Sequence, residues 1–260
     1  MPSFRATDGV EIVYESWDGD PDRPLVLLHH GFIATGRANW VGPGVVDALT
    51  ATGRRVAVLD ARGHGRSGKP HDPASYGEAR MAEDVSTLLD VLDAPAVDLV
   101  GYSMGAIVAL LTATRDTRVR RLVVGGVGSG VVELGGVDTR VLGHDALIHA
   151  LRAEDPDSIT ETFAAAFRQF VDALGGDRVA LAAQAVAAHD RPIPLGDVTA
   201  PTLVLAGRDD PLAARPQVLA QAIPGATLRL VDGDHMGALR DAGFVRELVE
   251  FVNGEPVPVP

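Results

Sequence analysis

Seven short apolar runs punctuate the chain: "VEIVYE" (10–15), "PLVLLH" (24–29), "RVAVLD" (55–60), "AVDLVG" (96–101), "VRRLVVGGV" (119–127), "PTLVLAG" (201–207) and "ATLRLVDG" (226–233). Their hydrophobicity is nearly continuous rather than alternating, which predicts strands covered on both faces, as in a parallel sheet sandwiched by helices. Between two of them, Met81, Val85, Leu88, Leu89 and Leu92 fall on one helical face, predicting a helix laid against that sheet. The rhythm breaks between about residues 131 and 195, where no strand pattern occurs. There "TETFAAAFRQFVDAL" and "DRVALAAQAVAAHD" predict alanine-rich helices joined by a glycine pair. We read this segment as a helical insertion rather than an independent domain, so residues 1–130 and 196–260 form one α/β core and 131–195 a cap. The tail "GEPVPVP" is expected to be extended.

Composition narrows the partners. With 23 Lys and Arg against 35 Asp and Glu, the formal charge is −12. This disfavours contact with nucleic-acid phosphates or an anionic membrane and leaves a small molecule as the expected partner. There is no cysteine, so thiolate zinc sites, iron–sulfur clusters and a cysteine nucleophile are excluded. The N-terminal stretch lacks the basic and apolar regions of a secretory signal, and no apolar run approaches a membrane span. A cytoplasmic protein is therefore expected.

Candidate chemistry begins at "GYSMG" (101–105), where a strand-like run gives way to a helix-like one. The pattern G-x-S-x-G in that context predicts a nucleophile elbow, in which a sharp turn exposes the central serine. The plainer alternative is a serine capping an ordinary helix. A serine nucleophile needs a base, and the base an orienting acid. Of the eight histidines, His235 alone follows a predicted strand and precedes a final helix; "GRDD" ends another strand with two adjacent carboxylates, Asp209 and Asp210. His144, His149 and His189 fall in the insertion, and His144 and His149 lack the spacing of a helical zinc pair, so no metal site is expected. "GGVGSG" (125–130) resembles a dinucleotide-binding loop, but Val131 stands where its last glycine belongs and no helical pattern begins directly behind it.

Four motifs in order, "HHGF", "DARGHGRS", "GYSMG" and "GRDD" with "GDH", resemble the α/β-hydrolase fold superfamily, in its serine-nucleophile branch of esterases, lactonases and non-heme haloperoxidases. The resemblance covers roughly residues 10–128 and 198–252. It implies a mostly parallel central sheet flanked by helices, with a short helical cap after the sixth strand. It also implies Ser103 as nucleophile, His235 as base and Asp210 as acid, with the backbone N–H groups of Phe32 and Met104 forming the oxyanion hole. Pro211 favours the same acid, because it biases the residue before it towards turn geometry. Ser67 and His64 read as parts of a structural turn, since neither has the elbow context.

The function these residues predict is a cofactor-independent serine hydrolase, acting on a small ester, lactone or related carbonyl through an acyl-serine. Haloperoxidase-like perhydrolysis or C–C hydrolysis with the same triad is the alternative. A non-catalytic binding protein is the reading from another class, because fold alone does not fix function. Serine at the elbow argues against the dehalogenases and epoxide hydrolases of this fold, which place aspartate there. For substrate contact, Phe163 and Phe167, with Phe170 on the same stripe, and Trp40 are candidates; packing of cap onto core is the competing role for each.

Overall fold

The computed structural model describes residues 1–141 and 143–254, except for the side chain of Phe163. Most of the tail "GEPVPVP" lies outside the described residues, as does any contact of Phe163. Eight strands form one sheet: β1 (Ser3–Arg5), β2 (Glu11–Trp17), β3 (Leu25–His29), β4 (Val56–Leu59), β5 (Val97–Tyr102), β6 (Val119–Gly125), β7 (Thr202–Gly207) and β8 (Thr227–Val231). Their spatial order is β1-β2-β4-β3-β5-β6-β7-β8. The first two strands run antiparallel to their neighbours and all later pairings are parallel. The continuous apolar runs are the reason: every residue of β3, β4, β5 and β7 is buried. At the edge, β8 is mostly exposed and keeps a polar residue every second position. β1 carries too short an apolar signal to be read from pattern, and counting it makes the insertion follow the sixth strand.

Helices α1 (Val45–Ala51) and α9 (Ala242–Asn253) cover one face of the sheet, while α2 (Glu78–Val91) and α3 (Met104–Ala113) cover the other. On α2 the predicted face holds: Met81, Val85, Leu88 and Leu89 are fully buried and Leu92 packs beside them. Between β6 and β7 lie α4 (Ser129–Leu134), α5 (His144–Arg152), α6 (Thr162–Ala173) and α7 (Arg178–Val186). α8 (Pro216–Ala222) follows β7. One expectation fails here, because a helix begins within the last two residues of "GGVGSG" and runs on behind it. α4 starts at Ser129, spans the expected boundary at 131 and packs on α8. Six residues are too few to show a periodic face. The glycines serve close packing: a Cβ on Gly128 would come 2.2 Å from the Ala214 carbonyl oxygen, and one on Gly125 would come 2.8 Å from the Tyr102 ring.

A buried charge cluster ties the sheet's lower edge together. Asp98 on β5 accepts hydrogen bonds from Arg54 and from Arg120 (Nε to Oδ1, 2.9 Å), while Arg54 Nη1 donates to the Val252 carbonyl at the end of α9 (2.8 Å). Asp98 and Arg54 are each 1% exposed. Removing one partner of such a pair leaves a charge uncompensated, so Asp98→Ala is expected to lower unfolding free energy by about 3–5 kcal/mol in urea titration. A loss below about 1 kcal/mol would show that Arg54 finds other partners or water.

Candidate active site

Ser103, Asp210 and His235 all stand just past the C-terminal ends of strands β5, β7 and β8, the edge where ligands bind in open α/β sheets. Ser103 has φ 56° and ψ −118°, a backbone conformation that residues other than glycine rarely adopt, and it is the residue immediately before α3. Its side chain makes no capping bond to the helix, so the ordinary N-cap reading does not describe it. The two motif glycines make the turn possible. A Cβ on Gly101 would lie 2.0 Å from the Gly105 carbonyl oxygen, and one on Gly105 would lie 2.3 Å from that of His29.

Of the two adjacent carboxylates, Asp210 meets the histidine: its Oδ2 lies 2.9 Å from His235 Nδ1. Its Oδ1 accepts from the N–H groups of Leu212 (2.9 Å) and Ala213 (3.3 Å), closing the short turn that Pro211 opens. Asp209 is exposed. In the neutral imidazole tautomer that donates Nδ1–H to Asp210, the lone pair lies on Nε2. The His235 ring rests against Tyr102 (centroids 5.1 Å apart), whose hydroxyl donates to the His235 carbonyl at 2.6 Å. Burial, with Asp210 close by, raises the Tyr102 pKa and keeps the phenol a neutral donor. Tyr102 occupies the free position of the motif, so nothing in the pattern singled it out.

The "HHGF" segment wraps the exit of β3 against the elbow. A Cβ on Gly31 would meet the Ser103 Cβ at 3.2 Å, so the chain at Phe32 passes beside the serine. Among the described residues, the N–H groups of Phe32 and Met104 have no acceptor, which leaves two donors beside Ser103. Asn39 fixes the loop by accepting from Gly31 N–H at 2.8 Å. It sits in a short π-helical turn (Arg37–Val41) whose role has no sequence signal. Trp40, the next residue, is fully enclosed by core neighbours under the sheet; an indole without any accessible surface packs the core and does not line a pocket.

Three histidines support this loop from below. His30 donates from Nδ1 to the Gly31 carbonyl (2.7 Å) and accepts at Nε2 from Ala61 N–H (2.9 Å); its ring meets that of His64 edge-on at 5.2 Å. Burial lowers the pKa of His29 and His30 to about 4 and that of His64 to about 3. Ser67 has a structural task, accepting from Val13 N–H and donating to the Asp60 carbonyl. A histidine held neutral in the fold gives stability that is present above 6.5, its unfolded value, and lost as pH falls towards the folded value. Glu78, pushed up to about 7 by burial, acts with the opposite sign over the same window. Three rings outweigh one carboxyl, so the unfolding midpoint should fall between pH 6.5 and 4; a midpoint that is constant or rises would contradict it.

The cap closes over this edge. Phe167 on α6 stacks on Phe32 (centroids 6.1 Å apart, planes 17° apart), whereas Phe170 is 43% exposed and makes no such contact. Gln184 on α7 links both layers, donating to Met104 Sδ (3.8 Å) and accepting from Gly77 N–H (3.3 Å). Ser103 is 6% exposed. Two surface concavities, of about 470 and 290 Å³, lie elsewhere, against α8 and between His71 and α7. Among the described residues, no group of three His, Asp or Glu side chains is placed to hold a metal ion, and no helix is long and apolar enough to cross a membrane.

Residues 24–131 match the family model of the alpha/beta hydrolase fold. A Variovorax paradoxus protein named as a carbamate hydrolase is 31% identical over 255 residues, covering 90% of this chain and 93% of its own length. The chain belongs to the α/β-hydrolase fold family. A hydrolase from Pseudomonas aeruginosa PA01 superposes with a TM-score of 0.79 at 26% identity, covering 98% of both chains. A zebrafish (Danio rerio) diacylglycerol lipase is 37% identical over 124 residues, which are 47% of this α/β-hydrolase and only 37% of the lipase's length.

Proposed function

We propose that this α/β-hydrolase cleaves a small carboxylic ester, lactone or related carbonyl compound through an acyl-serine intermediate. The observation that carries the reading is the 2.9 Å pairing of His235 Nδ1 with Asp210 Oδ2 beside a serine held at positive φ. Ser103 Oγ attacks the carbonyl carbon while His235 Nε2 takes its proton. Asp210 stabilises the imidazolium and holds the tautomer. The oxyanion forms against the N–H groups of Phe32 and Met104, each a donor worth roughly 10²-fold or more in rate. As the C–O bond breaks, His235 returns the proton to the leaving alcohol. Water, deprotonated by the same imidazole, then attacks the acyl group and regenerates Ser103.

The cap residues facing the oxyanion loop, Leu147, Ile148 and Phe167, are apolar, which favours an apolar acyl or ring portion in the substrate. The experiment is a hydrolysis screen over acyl length and lactone ring size, with carbamates included because the full-length relative carries that name. Turnover of uncharged apolar esters or lactones above that of charged ones is the expected result. An absence of turnover across the screen, together with ligand binding that leaves Ser103 unmodified, would favour a non-catalytic binding role.

A further inference from the structure

The oxyanion loop is packed into the cap's own apolar cluster. Phe32 and Ile33 pack with Leu147, Ile148 and Phe167 around a small core that includes Leu151 and Leu181. Ile33 has φ 64°, the left-handed region that a β-branched side chain avoids, so this backbone persists only where its surroundings hold it there. Towards the core, Phe32 meets the edge of His64 at 5.6 Å; towards the cap, it stacks on Phe167. Its ring is therefore held from both sides, and its backbone carries one of the two free N–H groups.

We propose that Phe167 is a positioning residue: by stacking on Phe32 it holds the strained Phe32–Ile33 peptide segment so that the Phe32 N–H faces the oxyanion. The seating of the cap thereby controls the chemical step as well as the shape of the pocket. This rests on the acyl-serine reading given above. A donor displaced by a fraction of an ångström loses much of its effect on the transition state, whereas a residue that only lines the acyl pocket changes binding in proportion to the acyl group it touches.

The test compares Phe167→Ala, Phe167→Leu, Phe167→Tyr, Phe32→Leu and the double variant Phe32→Leu/Phe167→Ala on 4-nitrophenyl acetate and octanoate. Phe167→Ala is expected to lower kcat by about 10- to 100-fold on both esters, with KM moved less than about threefold. Phe167→Leu, which keeps the cap cluster filled, should repeat the loss at smaller size, and Phe167→Tyr, which keeps the stack, should stay near wild type. The double variant should be no slower than the slower single variant, because both act through one contact. An unchanged kcat on acetate with a KM that rises with acyl length, or additive losses in the double variant, would overturn the proposal. A wild-type protein that hydrolyses neither ester and is not labelled at Ser103 by a fluorophosphonate would instead overturn the acyl-serine reading itself.

Discussion

Ser103→Ala is expected to reduce kcat for any hydrolysed ester by about 10⁶-fold, the scale seen when a triad serine is removed from a serine hydrolase. The N–H groups of Phe32 and Met104 proposed to hold the oxyanion remain in that variant, so a residual rate above that in water is expected. Stability should change little. Alanine removes one oxygen from a side chain that makes no cap bond to α3, and it retains the positive-φ strain already present at φ 56°. Folding should therefore be intact, and the loss should appear in kcat with unaltered circular dichroism. A variant that keeps more than about a tenth of wild-type turnover would move the nucleophile elsewhere.

The second large effect distinguishes two neighbours in sequence. Asp210→Asn is expected to lower kcat by roughly 10⁴-fold. The amide can donate a hydrogen to Nδ1, which stabilises the tautomer protonated on Nε2 and removes the base. Asparagine keeps an oxygen to accept from Leu212 and Ala213 N–H, so the turn should survive and stability should fall far less than activity. Asp209→Asn should cost less than about tenfold, because Asp209 is exposed and acts on the imidazole only through its own long-range field, which water and salt screen. The reverse order of effects would reassign the acid to Asp209.

What sequence made legible, and what it did not, follows from how far each feature depends on distant parts of the chain. The sheet was legible because burial on both faces writes itself as continuous apolar runs, and the elbow because its turn needs a glycine on each side of the serine, Gly101 against the Gly105 carbonyl and Gly105 against that of His29, and so leaves a fixed local spacing. The turn at Asp210 was legible through Pro211, a local constraint. Trp40 was ambiguous because the core cluster it joins is assembled from distant strands and from α1 and α9, and no pattern within its own segment states which side of the sheet it meets. Asn39 and Tyr102 left no mark, since Asn39 acts through a hydrogen bond to the Gly31 backbone and Tyr102 through its ring against His235 and a hydrogen bond to the His235 carbonyl, contacts between segments that no local pattern records. The stack of Phe167 on Phe32 joins residues 135 positions apart, and a helical stripe of phenylalanines reads the same whether it covers a core or a catalytic loop. β1 and α4, at three and six residues, each span less than two periods of their own patterns, too little for a repeat to show.

The central claim is that Ser103 attacks the substrate carbonyl and carries the acyl group. Its most direct test is intact-protein and peptide mass spectrometry of the enzyme quenched during turnover of a slowly deacylated ester, or treated with a fluorophosphonate. The account predicts a single adduct on the peptide containing Gly101 to Gly105, located at Ser103, absent in Ser103→Ala and formed orders of magnitude more slowly in Asp210→Asn. An adduct on any other residue, or undiminished labelling of Ser103→Ala, would contradict it.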